Sequence, residues 1–145
     1  MDKNKKVYIH LIEPALPIEN AVFCDIKNIH VLQDNEYSQV YIMDLLDYVN
    51  DEKIKDLVLD ITQKLKTDGQ LFIQATDSKN LAFALVYGQI NNDIYKNIIY
   101  GTNKKNTHTM GEIKNLLSTI DNLNITKCKY INTMQYYIEC QKNAK

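Results

Sequence analysis

The stretch Asp51–Thr76, DEKIKDLVLDITQKLKTDGQLFIQAT, decides the fold. Ile54, Leu57, Val58, Ile61 and Leu65 recur at spacings of three and four, so a helix over Asp51–Lys66 gathers them into one apolar stripe. Asn50 is placed to cap that helix, Asp51 and Glu52 suit its positive end, and Lys64 and Lys66 suit its negative end. Asp68-Gly69 follows, and Gly69 is expected to close the helix in a left-handed conformation. Gln70–Thr76 then reads as a short apolar strand of the kind buried on both faces. A helix that turns through Asp-Gly into a buried strand is half of an α/β repeat.

Toward the N-terminus, Val7–Ile12, Ala21–Ile26 and Gln39–Met43 are further short apolar runs between polar turns, and each reads as a strand. Pro14 and Pro17 keep the segment after the first run from regular pairing or an extended helix. Toward the C-terminus, Asp77 or Ser78 caps a helix through Leu81, Ala84 and Leu85, and a second piece spans Asp93–Tyr100 with Gly101 as its stop. Thr109 and Glu112 form a capping box, and Ile113, Leu116, Leu117 and Ile120 share one face after it. Ile125–Ile131 and Gln135–Cys140 read as an antiparallel hairpin across Asn132-Thr133-Met134. The whole is a single domain, residues 1–145: α/β, an open, mostly parallel sheet with helices on both faces and a C-terminal antiparallel hairpin. The direction of the 21–26 strand relative to the first stays open.

Composition narrows the function. The 145 residues carry a net charge of −1, and all 17 cationic side chains are lysine. Without the planar fork of arginine, bidentate recognition of phosphate or base edges is weakly provided for, so no nucleic-acid partner is expected. Cys24, Cys128 and Cys140 are widely spaced with no CxxC pair, which argues for reduced thiols and no metal site. The run after MDKNKK is broken by Glu13, Pro14 and Pro17, too soon for a signal or spanning segment, so a cytoplasmic protein with no membrane partner is expected.

From about Asp25 to Glu139 the order of elements resembles the class I, Rossmann-like S-adenosylmethionine-dependent methyltransferases, particularly small ones from phage and bacterial glycan-modification contexts. Three stretches carry the likeness: His30–Val49 (HVLQDNEYSQVYIMDLLDYV), Ile61–Asp77 (ITQKLKTDGQLFIQATD), similar to the family's LKPGG turn into a strand, and the closing hairpin Ile125–Cys140. The resemblance implies S-adenosylmethionine as cofactor and a glycan or small metabolite as acceptor. It implies cofactor contacts at Asp25, Met43 and Leu45, and a catalytic proton acceptor at Asp44 or His108. Asp47 and Tyr48 stand where the family has Glu and His, and Tyr is a poor base near neutrality.

One departure cuts against this. The family's first strand ends in a glycine-rich turn that lets backbone amides approach the donor's carboxylate, whereas this chain has no glycine before Gly69 and places Glu13 and Pro14 there. Only eight residues separate Ile12 from Ala21, short of the roughly dozen a βαβ crossover needs. The framework is therefore expected to be truncated, and two functions stand: a small methyltransferase, or a catalytically degenerate binding or assembly module that forms a homodimer through the sheet edge left exposed.

Each candidate residue also has a structural reading. Asp25 can simply end a strand, Asp44 and Asp47 can begin a helix, His108 can be a solvated loop residue, and His10 and His30 can be structural. Lys104 and Lys105 can meet an anion or only water. Tyr87, Tyr95, Tyr100, Tyr130, Tyr136 and Tyr137 suit stacking on sugars or bases, and equally suit ordinary cores and strand surfaces.

Overall fold

The computed structural model describes residues 4–11, 19–101 and 104–144. The strands are β1 (Lys6–His10), β2 (Ala21–Asp25), β3 (Tyr37–Met43), β4 (Leu65–Thr76), β5 (Leu123–Tyr130) and β6 (Gln135–Lys142). The helices are α1 (Asp51–Lys64), α2 (Ser78–Val86), α3 (Asn92–Tyr100) and α4 (Met110–Ser118). All six strands join one sheet in the order β2-β1-β3-β4-β6-β5. β1 is parallel to β2 and β3, β3 is parallel to β4, and β6 is antiparallel to both β4 and β5. The open, mostly parallel sheet with its antiparallel closing hairpin is the one the sequence implies.

The direction of β2 is now settled as parallel, in register His10 to Asp25. Ile12, Glu13, Pro14 and Pro17, on which the glycine-loop argument rests, lie outside the described residues.

Strand alternation sorts the side chains. Val7, Val40, Leu71 and Cys140 form one row across the sheet, Ile9, Ile42, Ile73 and Ile138 the next, and all eight are fully buried. Ile54, Leu57, Val58 and Ile61 of α1 and Ile113 and Leu117 of α4 close over these rows in one core. Burying such a side chain contributes roughly 1.5–3 kcal/mol, so this face carries the stability of the domain. The opposite face presents Phe23, Tyr8, Tyr41 and Phe72 in adjacent register, with Tyr41 and Phe72 stacked at 4.7 Å. Phe72 is shielded by its neighbours, while Phe23, Tyr8 and Tyr41 stay partly exposed. Among the described residues α1 and α4 pack together over one face, and the aromatic row lies on the other.

Local differences have local causes. The first helix ends at Lys64, not Lys66, and β4 begins at once with Leu65, where Lys142 reaches across to the Leu65 carbonyl (2.7 Å) and Asp34 holds the Lys64 ammonium (2.6 Å). The left-handed residue is Asp68 (φ 64°), not Gly69. Gly69 is needed for room instead, since a Cβ there would sit 2.8 Å from the Lys66 carbonyl oxygen. Asn50 precedes α1 without a side-chain capping bond. Asp77 does cap α2 through the Asn80 amide, and Thr109 with Glu112 forms the full capping box on α4. No described helix is long and apolar enough to cross a membrane.

Candidate functional site

In open parallel sheets, ligands bind beyond the carboxyl ends of the strands. Here that edge carries His10, Asp25, Met43, Asp44 and Thr76 at the tips of β1, β2, β3 and β4. A cleft of about 350 Å³ opens beside it. Asp44, Asp47 and Lys104 form its charged wall, Thr76 and Gln135 add polar groups, and Tyr48, Ile98 and Met134 supply apolar surface.

Asp44 is the residue the strand tip delivers. It takes a left-handed conformation (φ 55°), which turns the chain off β3, and its amide donates to the Gln74 carbonyl (2.7 Å). Aspartate tolerates that conformation better than most residues. The residue is exposed overall, yet its carboxylate lies at the cleft mouth, with Oδ1 accepting from Gln135 Nε2 at 3.1 Å. Partial desolvation, then the charge of Asp47, raise its proton affinity above that of an ordinary aspartate, against the opposing pull of Lys104.

Asp47 is buried in a single 3-10 turn, Leu46–Tyr48. Burial raises its pKa as well, while His108, Lys104 and the Thr76 hydroxyl moderate the shift. The Lys104 ammonium stands 3.7 Å from Asp47 Oδ2 and also donates to the Ile98 carbonyl. Lys104 is thus tied to the cleft wall, not solvated. The Asp47 carbonyl accepts from the Lys105 amide (2.8 Å), which fastens the loop before α4 to this turn.

His108 is placed differently from either sequence reading. It is buried, bridges to Asp77 through the backbone, and lines neither the cleft nor the small cavity beneath it. Its Nδ1 lies 3.0 Å from Asn106 Oδ1, and the Asn106 amide nitrogen donates to the Val49 carbonyl, which fixes the amide's orientation. Nδ1 is therefore the protonated nitrogen, and Nε2 accepts from the Tyr136 hydroxyl at 2.7 Å. Burial lowers the His108 pKa, so the ring is neutral and its 3.9 Å approach to Asp47 is not an ion pair. Its geometry makes it a brace between the loop, β6 and the turn that carries Asp47.

The cofactor candidates divide. Asp25 pairs in register with His10 across β2 and β1, and Met43 ends β3 one residue beyond the last register pair of β1 and β3, Ile9 with Ile42. Asp25 spends one oxygen on capping the next turn (Lys27 amide, 2.8 Å), which leaves the other for a ligand hydroxyl. His10 Nδ1 is buried with no hydrogen-bond partner among the described residues, a vacancy that a ligand's polar group would satisfy. Leu45, by contrast, is 2% exposed and belongs to the core. His30 is exposed on the turn after β2. Sequence reasoning missed Gln135 and Asn106 as site residues, and it took Thr76 only as a strand end and Tyr136 only as one of several tyrosines suited to stacking or to a core. The alternation of Tyr136 with Ile138 and Cys140 is the signal for its inward place.

No protein-family model matches the sequence, and no curated protein matches it either. Solved structures do match its fold. An S-adenosylmethionine-dependent methyltransferase from Mesorhizobium loti aligns at TM-score 0.67 and 14% identity over 96% of this chain and 90% of its own. One from Methanosarcina mazei aligns at 0.65 and 14% over 100% and 95%. The 1,6-didemethyltoxoflavin-N1-methyltransferase of Burkholderia thailandensis, solved with bound 1,6-didemethyltoxoflavin and S-adenosylhomocysteine, aligns at 0.62 and 11% over 95% and 61%. The chain therefore has the class I S-adenosylmethionine-dependent methyltransferase fold.

Proposed function

We propose that the protein transfers a methyl group from S-adenosylmethionine to a hydroxyl or amine of a small polar acceptor held in the cleft. The observation that carries this reading is the pair of carboxylates Asp44, just past β3, and Asp47, in the turn after it, which line that cleft at the sheet edge where β1, β2 and β3 end in His10, Asp25 and Met43. Those strand tips would hold the donor, Asp25 toward hydroxyls, His10 Nδ1 toward a polar atom and Met43 against an apolar surface. Once bound, the donor supplies an electrophilic methyl group on a sulfonium.

The chain's own contribution is positioning and one proton. Gln135 and Gln74 orient the Asp44 carboxylate, which would take the acceptor's proton. Its raised proton affinity makes it a stronger base than a solvated aspartate. Lys104 anchors Asp47, and Tyr48 and Ile98 exclude water from the wall. Calorimetric titration with S-adenosylmethionine and S-adenosylhomocysteine tests the reading. Binding tighter than about 1 mM supports it, and no heat at that concentration removes catalysis from the account.

A second reading is a degenerate module that pairs with its own copy through β2. It is favoured by the absence of any glycine before Gly69 and by the character of this edge. The other edge strand, β5, is guarded by Lys127 and Lys129, whereas β2 has no lysine and leaves Val22 54% exposed.

A further inference from the structure

A second pocket, of about 350 Å³, lies next to the cleft and uses none of its acidic groups. It is lined by the rings of Phe83, Tyr87 and Tyr130, by the side chains of Asn80, Gln89 and Asn132, and by Ala84 and Thr133. Phe83 is 46%, Tyr87 74% and Tyr130 49% exposed, an expense of apolar area that folding alone gives no reason to leave uncovered. The rings come from two elements. Phe83 and Tyr87 sit one turn apart on α2 and just past its end, with centroids 6.2 Å apart, and Tyr130 ends β5 with its hydroxyl directed to Asp77 Oδ2 at 3.4 Å. Each is held: the Tyr87 amide donates to the Phe83 carbonyl, and Gly88 (φ 71°) then turns the chain so that Gln89 rejoins the Ala84 carbonyl at 2.8 Å.

We infer that this pocket binds a neutral carbohydrate. No side chain that lines the pocket carries a charge, and the Lys79 ammonium beside it stands over the Phe83 ring at 5.9 Å, so the wall itself offers an anionic ligand or a nucleic-acid backbone no ion pair. What remains is the pairing a pyranose requires. Ring faces meet the C–H face of the sugar, and three amides with one threonine hydroxyl supply donors and acceptors for its hydroxyls. The volume lies at the small end of ligand pockets and has room for a mono- or disaccharide. Asn132 lines both this pocket and the cleft, so a longer glycan held here runs on toward Asp44. That continuation rests on the proposed acceptor role of the cleft; sugar binding itself does not.

The test is made on the full chain without methyl donor, so failure of methyl transfer leaves it untouched. Amide shifts are followed by NMR while cellotetraose, maltotetraose and chitotetraose are added in turn, with adenosine monophosphate as the aromatic-stacking control. At least one sugar is expected to move the signals of Asn80, Gln89 and Tyr130. Tyr87→Ala and Phe83→Ala, both at exposed rings, are expected to weaken that binding about tenfold each. The inference is overturned if no sugar moves these signals, if either variant binds like the parent, or if the nucleotide alone occupies the pocket.

Discussion

Replacing Tyr136 with phenylalanine tests the inward network most sharply. The Tyr136 hydroxyl is buried and donates to His108 Nε2 at 2.7 Å, so Tyr136→Phe leaves a buried acceptor unpaired without changing the ring's shape. An unsatisfied buried group costs roughly 1–3 kcal/mol. For a chain of 145 residues that lowers the unfolding midpoint by about 3–10 °C. The pH dependence separates this mechanism from a generic packing defect. In the parent, burial lowers the His108 pKa below its unfolded value, so the unfolded state binds the extra proton and stability falls as pH drops below about 6.5. In the variant, Nε2 is released from its donor and faces Asp47 Oδ1 at 3.9 Å, so the ring accepts a proton more readily. The cost of the substitution should therefore be greatest at pH 8 and shrink toward pH 5. Urea unfolding of both proteins at the two pH values measures it. A cost that is equal at both, or that grows with acid, refutes the assignment of a neutral His108 accepting from Tyr136.

Asp44→Asn keeps an amide for Gln135 and tolerates the left-handed backbone, so it should fold with undiminished stability at pH 7 and lose about 100-fold or more in methyl transfer. In the parent, transfer should rise with pH through the Asp44 ionisation, displaced above the ordinary aspartate value, and a pH-rate profile reports it. Gly69→Ala drives a Cβ against the Lys66 carbonyl and should cost about 1–3 kcal/mol by chemical denaturation, although residue 69 is not left-handed. Val22→Lys charges the β2 edge, so any concentration-dependent dimer seen in sedimentation of the parent should disappear, and persistence of that dimer would place the contact elsewhere.

The sheet was legible because its signals are local. The stripe of Ile54, Leu57, Val58 and Ile61, the Thr109–Glu112 box and the Asp77 cap each depend on residues a few positions apart, and each formed as read. The turn at Asp68-Gly69 was misread because Gly69 has two possible uses, and only the neighbouring Lys66 carbonyl shows that space, not handedness, selects it. Asp44 was legible as the residue after an apolar strand. His108 was not, because its partners Asn106, Tyr136 and Asp47 converge from three separate segments, and no sequence pattern announces that convergence. Strand alternation shows that Tyr8, Tyr41 and Phe72 share a side, but not that α1 and α4 pack together over the other one.

Donor binding at the tips of β1 and β2 is tested most directly by following His10 in the ¹⁵N spectrum as S-adenosylhomocysteine is added. If Nδ1 gains a ligand partner, its resonance and the amides of Asp25 and Met43 shift together, in proportion to occupancy. A saturating ligand that leaves all three unmoved would mean that this fold survives here without its donor site.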